Sequence, residues 1–369
     1  MDQDLLERIV QRIIEIQQIP APTFCEERRA KFLRQQFLAE GLADVSLDEL
    51  YNVYARLPGE NREAFLVVSA HTDTVFPAGT DLTITKKRGQ ILGPGIGDNS
   101  TGIAGLFGLL WALNQKGITL PGDLWVVANV AEEGLGDLKG MRKVVDRFGD
   151  KPLAYIVLEG MAYGRVYHRG LGVRRYRISV QTAGGHSWVD YGAPSAIHEL
   201  SSLLTRLVSM KLPMSPRTSL NVGSIGGGTS VNTIAPDAYL DLDLRSEDAE
   251  KLNELAQKVE KMVESSNRPF VSFLCDSIGS RDVGELEVSH PLVRLAVEVL
   301  EKLGREAELS IGSTDANIPL SMEIPAICIG LTNGGGAHTE DEFILTTPLA
   351  DGIAQLVEVV QGAFEVLNE

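Results

Sequence analysis

The sequence predicts an α/β protein whose mostly parallel sheet is interrupted along the chain by an inserted α+β domain. Short apolar runs alternate with helical patterns at both ends of the chain, and several of these runs end on an acidic residue or a histidine. This alternation gives way to a half-exposed strand pattern near Gly172. A chain of 369 residues also exceeds the size at which one core keeps growing. We therefore expect residues 1–172 and 283–369 to form one domain, and residues 173–282 to form an inserted second domain.

Two helices are predicted at the amino terminus. Apolar residues recur at helical spacing from Leu5 to Ile14, and this pattern stops before Pro20. Thr23 and Glu26 have the spacing of a capping box, in which two side chains bind the backbone at the start of a helix. We expect this second helix to run to about Gly41.

Buried strands are predicted where apolar residues form short runs, at residues 53–57, 65–70, 124–131 and 155–158. Between the second and third runs, an apolar stripe from Ile103 to Leu113 predicts a helix with Ser100 or Thr101 as its N-cap. Another helix is expected around residues 141–148. Such alternation is typical of a parallel sheet, in which ligands bind at the carboxyl ends of the strands.

The inserted domain begins with alternating apolar and polar residues at 173–180, which is the pattern of a half-exposed strand. Helical patterns follow at about 193–210 and 248–264, and further strands are predicted at 237–245 and 270–274. This order is close to the β-α-β-β-α-β order of ferredoxin-like units.

The first domain resumes after the insertion. The alternation of helix and strand begins again at Pro291 and includes a strongly apolar strand at 326–330. The chain ends in an amphipathic helix after Pro348. We expect this last segment to belong to the same domain as residues 1–172.

The composition excludes several classes of partner. The 34 Lys and Arg against 50 Asp and Glu give a net charge of −16, whereas nucleic acids and anionic membranes bind basic surfaces. The sequence has no apolar run of membrane-spanning length and no signal-peptide pattern, so we expect a cytoplasmic protein without nucleic-acid or membrane partners. The three cysteines have no CxxC spacing, which predicts small buried hydrophobic residues rather than disulfides: Cys25, Cys275 and Cys328.

Five residues at predicted strand ends or in loops have side chains that bind metal ions: His71, Asp98, Glu133, Glu159 and His338. Taken singly, each has an ordinary interpretation as a helix cap, a solvated loop residue or a structural histidine. Together, two imidazoles and three carboxylates at one edge of a sheet suit a borderline divalent metal such as zinc. Asp73, two residues after His71, suits a carboxylate that orients a metal-bound imidazole.

The pair Glu132 and Glu133 follows the predicted strand at 124–131 directly. Adjacent side chains at the end of a strand point to opposite sides, so one carboxylate can bind metal while the other faces a substrate as a base. The alternative interpretation is an acidic loop before Gly134.

Two other catalytic classes are disfavoured by their motifs. The glycine-rich stretches at 93–97, 226–228 and 334–336 lack the GxGxxG spacing or a following Lys-Ser/Thr, which disfavours a nucleotide-dependent enzyme. The sequence has no GxSxG motif, which disfavours a serine hydrolase.

Eight segments, in this order, resemble the motifs of the dinuclear zinc exopeptidase and deacylase family. That family includes peptidase T, the glutamate carboxypeptidases, acetylornithine deacetylase and succinyl-diaminopimelate desuccinylase. The resemblance covers nearly the whole chain, including the inserted domain. The segments are HTD at 71–73, GPGIGDNSTG at 93–102, EEG at 132–134, LEG at 158–160, GGHS at 184–187, NTIAP at 232–236, GSTDA at 312–316 and AHTEDE at 337–342.

The resemblance implies a site for two divalent metal ions, zinc in the first place and cobalt or manganese as alternatives. In the family pattern, Asp98 bridges the two metals. His71 and Glu159 complete one set of ligands, and Glu133 and His338 complete the other.

The same resemblance implies roles for residues beside the metals. Asp73 would orient His71, and Glu132 would be the general base. The peptide bond between Asp98 and Asn99 corresponds to one that is cis in relatives, and we expect it to be cis here.

By resemblance, the inserted domain is a lid that pairs two subunits, and His186 reaches into the partner's site to stabilise the oxyanion. Asn232 and Arg281 match positions that bind the substrate carboxylate or backbone in carboxypeptidase-like members. From the residues alone, His186 is interpreted as an exposed loop residue and Arg281 as a surface charge. Asp282 stands where a proline is common in the family, so the carboxylate pocket differs at this point.

The predicted function is a homodimeric, zinc-dependent exopeptidase of small peptides, with a carboxypeptidase-like mode placed first. A deacylase of N-acyl amino acids and a tripeptide aminopeptidase are alternatives on the same metal ligands. Glu159 disfavours the tripeptidase, because peptidase T has aspartate there. A non-catalytic small-molecule binder is a further alternative, but it would not need a base at Glu132.

Overall fold

The structure, a computed structural model, describes residues 1–367 and contains two compact units. One unit is Met1–Gly170 with Gly284–Glu369, and the other is Leu171–Val283. The limits of the second unit lie within two residues of the predicted insertion at 173–282. Each unit has a hydrophobic core of its own.

The helices in the described part of the chain are α1 (Gln3–Gln17), α2 (Glu27–Ala39), α3 (Gly102–Lys116), α4 (Lys139–Phe148), α5 (Ala196–Val208), α6 (Ala249–Glu264), α7 (Pro291–Lys302), α8 (Asn317–Ser321) and α9 (Leu349–Val366). None of these helices is both long enough and apolar enough to span a membrane.

The strands are β1 (Ala43–Leu47), β2 (Val53–Leu57), β3 (Asn61–His71), β4 (Thr85–Lys87), β5 (Gln90–Leu92), β6 (Gly122–Asn129), β7 (Tyr155–Glu159), β8 (Arg165–Gly170), β9 (Gly172–Thr182), β10 (Gly185–His186), β11 (Thr218–Gly227), β12 (Thr233–Ile234), β13 (Asp237–Ser246), β14 (Val271–Arg281), β15 (Gly284–Glu285), β16 (Glu308–Gly312), β17 (Ala326–Gly330), β18 (Gly334–Gly335) and β19 (Phe343–Leu345).

The first unit is built on a nine-stranded sheet in the order β1-β2-β6-β3-β7-β17-β8-β15, with β16 also paired to β8. Its centre is parallel, because β3 pairs in parallel with β6 and β7, and β7 pairs in parallel with β17. Towards the edges, β1, β2 and β15 pair antiparallel with their neighbours, whereas β16 pairs in parallel with β8. This confirms the predicted mostly parallel sheet, in which the carboxyl ends of the central strands meet at one edge.

Helices cover both faces of this sheet. Leu66, Val68 and Ala70 of β3 lie in one core with residues of α1, α2, α3, α7 and α9. Val67, which points to the opposite face, packs with residues of α4 and α8. Because both faces are buried, the central strands are continuous apolar runs rather than alternating ones.

The second unit is an α+β fold around the antiparallel sheet β11-β13-β9-β14. Alternate apolar residues of β9 and β13 pack under α5 and α6. On the other face, cross-strand ion pairs join Arg175 to Asp243 at 2.9 Å and Arg177 to Asp241 at 2.8 Å. The chain order β9, α5, β11, β13, α6, β14 confirms the predicted inserted α+β fold.

Several local predictions were wrong. Thr23 and Glu26 do not form a capping box, because α2 has no side-chain cap and Thr23 instead donates to Asp73. The stripe predicted for α3 underestimates its burial, since every residue from Gly102 to Leu113 is buried. The strand predicted at 270–274 extends to Arg281, and β11 lacked a prediction.

The cysteine prediction held in part. Cys25, Cys275 and Cys328 are all free thiols, but only Cys328 is buried. Cys25 is exposed and Cys275 is half-buried, so two of the three are not core residues.

Candidate metal centre

The five predicted ligands lie at the carboxyl edge of the parallel strands in the first unit. His71 ends β3, Glu159 ends β7 and Glu133 lies four residues beyond the end of β6. His338 follows β18, and Asp98 lies in an irregular turn, Ile96–Thr101, ahead of α3. The peptide bond from Asp98 to Asn99 is cis, as expected.

Asp98 lies between the two histidines. Its Oδ1 is 3.1 Å from His71 Nε2, and its Oδ2 is 3.2 Å from His338 Nε2. His338 Nε2 is also 3.2 Å from Glu133 Oε1, and His71 Nε2 is 3.9 Å from Glu159 Oε2. The fold therefore forms two groups on either side of Asp98. One contains His71 and Glu159, and the other contains His338 and Glu133.

Asp73 is fully buried and binds groups on both sides of the site. The His71 Nδ1 atom is 3.2 Å from the Asp73 carbonyl oxygen and 3.5 Å from its carboxylate Oδ1. The Asp73 carboxylate also accepts the backbone N–H groups of Glu132 and Glu133, at 3.0 and 2.9 Å. Asp73 therefore contacts both the His71 ring and the backbone on which Glu132 and Glu133 are carried.

The Asp98 turn is held by the carboxylate of Glu342, the last residue of the AHTEDE segment. Glu342 is fully buried and accepts backbone N–H groups from Gly95, Gly97 and Asp98 at 3.2, 2.7 and 2.8 Å. Burial raises the pKa of Glu342 to about 7, although the three backbone donors act against this shift.

Opposite charges at short range shift the pKa values of both histidines upward. Burial disfavours a charged imidazole at His71, but its hydrogen bonds to Asp73, Asp98 and Glu159 outweigh burial and raise the pKa well above its ordinary value. Hydrogen bonds to Asp98 and Glu133 raise the pKa of His338 to about 10. The protonated form of both imidazoles is therefore favoured beside these carboxylates.

The pKa values of Asp98 and Glu159, the two carboxylates that face His71 Nε2, shift in opposite directions. Burial would raise the pKa of Asp98, but hydrogen bonds to His338 and His71 hold it below its ordinary value. Burial raises the pKa of Glu159 to about 7, against the opposing effect of His71. Because metal ligands must give up their protons, a divalent ion would take the place of the protons in this cluster.

The donor set fits divalent metal ions. His71, Asp98 and Glu133 each offer a ligand atom, and these atoms lie within 4.8 Å of one another. Imidazole nitrogen and carboxylate oxygen are the donors that zinc and similar borderline ions accept. The two oxygens of Asp98 face different histidines, which is what a carboxylate between two metals requires.

Glu132 is buried, with 6% of its surface exposed, and lies next to the predicted ligand Glu133. Its backbone N–H is bound by Asp73 at 3.0 Å. Because Asp73 also contacts His71, the backbone that carries Glu132 and Glu133 is fixed relative to His71. Their predicted roles as base and ligand remain predictions.

The remaining predicted residues belong to the second unit. His186 is exposed in β10, and its Nδ1 accepts the backbone N–H groups of Trp188 and Val189 at 3.2 and 3.4 Å. Asn232 is exposed, and its Oδ1 accepts from Ser230 at 3.0 Å. Arg281 is only 3% exposed, so the interpretation from the residues alone as a surface charge was wrong.

Sequence reasoning missed the groups that surround the predicted ligands. Glu26 accepts the backbone N–H of Ala131, and Arg29 donates to the Thr72 carbonyl oxygen at 2.7 Å. Asn129 donates to Asp315 at 2.6 Å, and both are buried. The sequence signal at Glu26 is its capping-box spacing with Thr23, which predicts a local contact, whereas Glu26 binds the distant Ala131 N–H.

Fold and site together define a metal-dependent hydrolase of the α/β class. Residues 67–362 match Peptidase family M20/M25/M40. The chain belongs to this family, which confirms the resemblance seen in the motifs.

Relatives of this chain include several hydrolases. It is 27% identical to an acetylornithine deacetylase of Erwinia tasmaniensis over 318 residues, 79% of each protein. Its fold is similar to that of a Staphylococcus aureus tripeptidase, with a TM-score of 0.82, 21% identity and 99% of both chains covered. It is also similar to a dinuclear metal-binding M20 peptidase of Bacillus subtilis, with a TM-score of 0.71, 17% identity, and 99% and 100% of the two chains covered.

Proposed function

We propose that the protein is a zinc-dependent exopeptidase that hydrolyses amide bonds in small peptides, in a carboxypeptidase-like mode. The observation that carries this proposal is the placement of Asp98 between His71 and His338, with Glu132 buried beside Glu133. Such a site combines ligands for two metals with a carboxylate that is not needed as a ligand.

Five side chains would hold the metals. His71 and Glu159 would bind one ion, Glu133 and His338 would bind the other, and Asp98 would bind both. When bound, two divalent ions supply Lewis acidity, which lowers the pKa of a water molecule and polarises the scissile carbonyl group.

Glu132 would act as the general base and then as the general acid. Its carboxylate accepts a proton from the attacking water and delivers it to the leaving amine. Asp73 holds the backbone N–H groups of both Glu132 and Glu133, so it fixes the base and one ligand together. The same carboxylate faces His71 Nδ1, which leaves Nε2 directed at Asp98.

His186 would stabilise the oxyanion. Because its Nδ1 accepts backbone N–H groups, the proton of the neutral ring is carried on Nε2. An Nε2–H group at the end of the short exposed strand β10 is a donor that can meet the developing charge of a substrate. Pairing of two subunits through the inserted domain, which would bring His186 to a partner's site, and a cytoplasmic location remain predictions.

Asn232 and Arg281 would bind the terminal carboxylate or backbone of the substrate. Arg281 is a buried cation at the end of β14, and a buried guanidinium suits bidentate binding of a carboxylate. This is the basis for placing the carboxypeptidase-like mode first.

The second candidate is a deacylase that acts on N-acyl amino acids. Its support is the 27% identity to an acetylornithine deacetylase over 79% of the chain. The metal ligands and Glu132 would serve both reactions, so the two candidates differ only in the pocket.

Hydrolysis of matched substrates tests the proposal. The zinc-loaded protein would be given dipeptides, tripeptides and N-acyl amino acids, each with a free or amidated carboxyl terminus, with and without a chelator. We expect chelator-sensitive cleavage that requires a free carboxyl terminus. Faster cleavage of the acyl series would favour the deacylase, and a required free amino terminus would favour an aminopeptidase. No cleavage by protein that holds two metals would leave a small-molecule binder.

A further inference from the structure

The turn that carries Glu132 and Glu133 is held by a second carboxylate, which lies outside the predicted site. Glu26, just before α2, is 4% exposed, and its Oε1 accepts the backbone N–H of Ala131 at 3.0 Å. The next two N–H groups, of Glu132 and Glu133, are bound by the two oxygens of Asp73. Two buried carboxylates therefore bind three consecutive backbone donors.

Ala131 adopts a backbone conformation that residues with a Cβ atom rarely adopt. Its φ is 54°, in the left-handed region, and it lies two residues after the end of β6 and directly before Glu132. The hydrogen bond to Glu26 satisfies a buried N–H in this conformation. Without the acceptor, that N–H would be unpaired and the left-handed turn would lose its support.

The segment around Glu26 contacts the other predicted metal-site turn as well. Thr23 Oγ1 donates to Asp73 Oδ2 at 2.9 Å. Arg29, which is 2% exposed, donates to the Thr72 carbonyl oxygen at 2.7 Å and to the Ile19 carbonyl oxygen. The segment 23–29 therefore contacts two turns of the predicted site: the turn at 72–73, which follows His71, and the turn at Ala131, which precedes Glu132 and Glu133.

We propose that Glu26 is a positioning residue that fixes Ala131 in its left-handed conformation, and so directs Glu132 to the substrate and Glu133 to its metal. The inference rests on the proposed function for the role of Glu132. Its consequence for Glu133 concerns metal binding alone. Glu133 belongs to only one of the two ligand sets, so Glu26 should affect the two metals unequally.

Substitutions at Glu26 separate positioning from general stability. Glu26→Ala removes the acceptor, and Glu26→Gln keeps an oxygen that can accept the Ala131 N–H. We expect Glu26→Ala to weaken one of two bound zinc ions by about tenfold or more, and to lower kcat by a similar factor with KM unchanged. Glu26→Gln should keep most of both properties. Zinc affinity is measured by competition with a chelator, without substrate.

Asp123→Ala is the matched control. Asp123 is another buried carboxylate of this unit, 4% exposed, and it accepts the Gly59 N–H and pairs with Arg56. Its loss should lower Tm without changing zinc affinity or kcat per folded molecule. If Glu26→Ala weakens both zinc ions equally, or changes only Tm as Asp123→Ala does, the proposal is wrong.

Ala131→Gly provides a rescue, because glycine adopts positive φ without steric cost. In the Glu26→Ala background, it should restore part of the lost zinc affinity, and the absence of any coupling would overturn the proposal. Should Glu26→Ala not fold, Glu26→Asp keeps the charge but shortens the reach, and the same unequal loss of zinc is expected. Failure of the proposed function would show differently, as two tightly bound zinc ions in wild type without peptide or acyl hydrolysis.

Discussion

The predicted metal ligands of the first unit and the His186 loop of the second unit are held in different ways. His71 and Asp73 are 2% and 0% exposed, and Asp73 alone binds three other groups through its carboxylate. His186 is exposed, and its neighbours Trp188 and Tyr191 are 85% and 90% exposed. The turn of His71 and Asp73 is fixed by buried hydrogen bonds, whereas the region around His186 presents its side chains to solvent. His338 is the exposed member of the predicted ligand set, with 54% of its side chain exposed.

This difference follows from what each region would have to do. Metal ligands must keep their donor atoms within a few tenths of an ångström, and buried hydrogen-bond partners such as those around His71 hold a ligand in place. A group that meets a substrate must be reachable, and accessible loops on a rigid scaffold are the usual place for it. The contrast yields four predictions, from the largest expected effect to the smallest.

The strongest test of the buried region is Glu132→Ala. Loss of the base should lower kcat by roughly 10²- to 10⁴-fold while both metals stay bound. The neighbouring substitution Glu133→Ala is the matched control, because it should release metal. Kinetics and metal analysis of the purified variants measure both quantities. Loss of zinc from Glu132→Ala, with retention in Glu133→Ala, would show that the two roles are exchanged.

On the exposed side, His186→Ala should lower kcat by about 10²- to 10³-fold, the usual effect of losing one oxyanion donor. Zinc content and Tm should not change, because the side chain is exposed. His198, an exposed histidine of α5, provides the control, and His198→Ala should leave kcat unchanged. Equal kcat for both variants would remove His186 from the mechanism.

The third test concerns proton binding in the buried region. Burial raises the pKa of Glu342 from about 4.5 to about 7, so its protonated form is favoured in the folded state. Its contribution to stability is therefore fully present below pH 4.5 and is lost as the pH rises through 7. Metal-free wild type should lose on the order of 1 to 3 kcal/mol more than Glu342→Gln between pH 5 and 8.

Urea unfolding of the chelated proteins at the two pH values measures this difference. Glu342→Gln keeps one oxygen, which can accept the backbone N–H groups of Gly97 and Asp98, and loses the acceptor of the Gly95 N–H. A stability difference between the two proteins that stays constant with pH would contradict the shifted pKa of Glu342.

The smallest effect is expected at Trp188. Its side chain is 85% exposed, so Trp188→Ser should change the free energy of unfolding by less than about 0.5 kcal/mol. Urea unfolding at two protein concentrations checks this. A loss of stability that appears only at the higher concentration would place Trp188 in a subunit interface, and the exposed region would then not be free in solution.

Much of the fold and of the candidate site could be predicted because the relevant patterns are local. Apolar runs such as 65–70 and 124–131 appear as strands because both sheet faces are buried, and the acids and histidines that follow them are fixed to the strand ends. The helix and strand order of the insertion follows from periodicity in the same way.

Predictions failed where a side chain found a distant partner. Thr23 and Glu26 have the spacing of a local cap, but Asp73 and Ala131 offer buried partners at 50 and 105 residues' separation. The residues next to Arg281 in the sequence have a composition typical of a protein surface. However, β14 extends as far as Arg281, and the side chain is buried.

By itself, the sequence determined the α/β class and the family, and it predicted the inserted domain and the set of candidate ligands, because these depend on periodicity and on motifs within a few residues. Only the tertiary structure decided that Asp98 lies between two histidines, that Glu342 holds its turn, and that Glu26 binds Ala131. These contacts join segments far apart in the chain, and their energy depends on burial and direction, which spacing along a sequence does not specify.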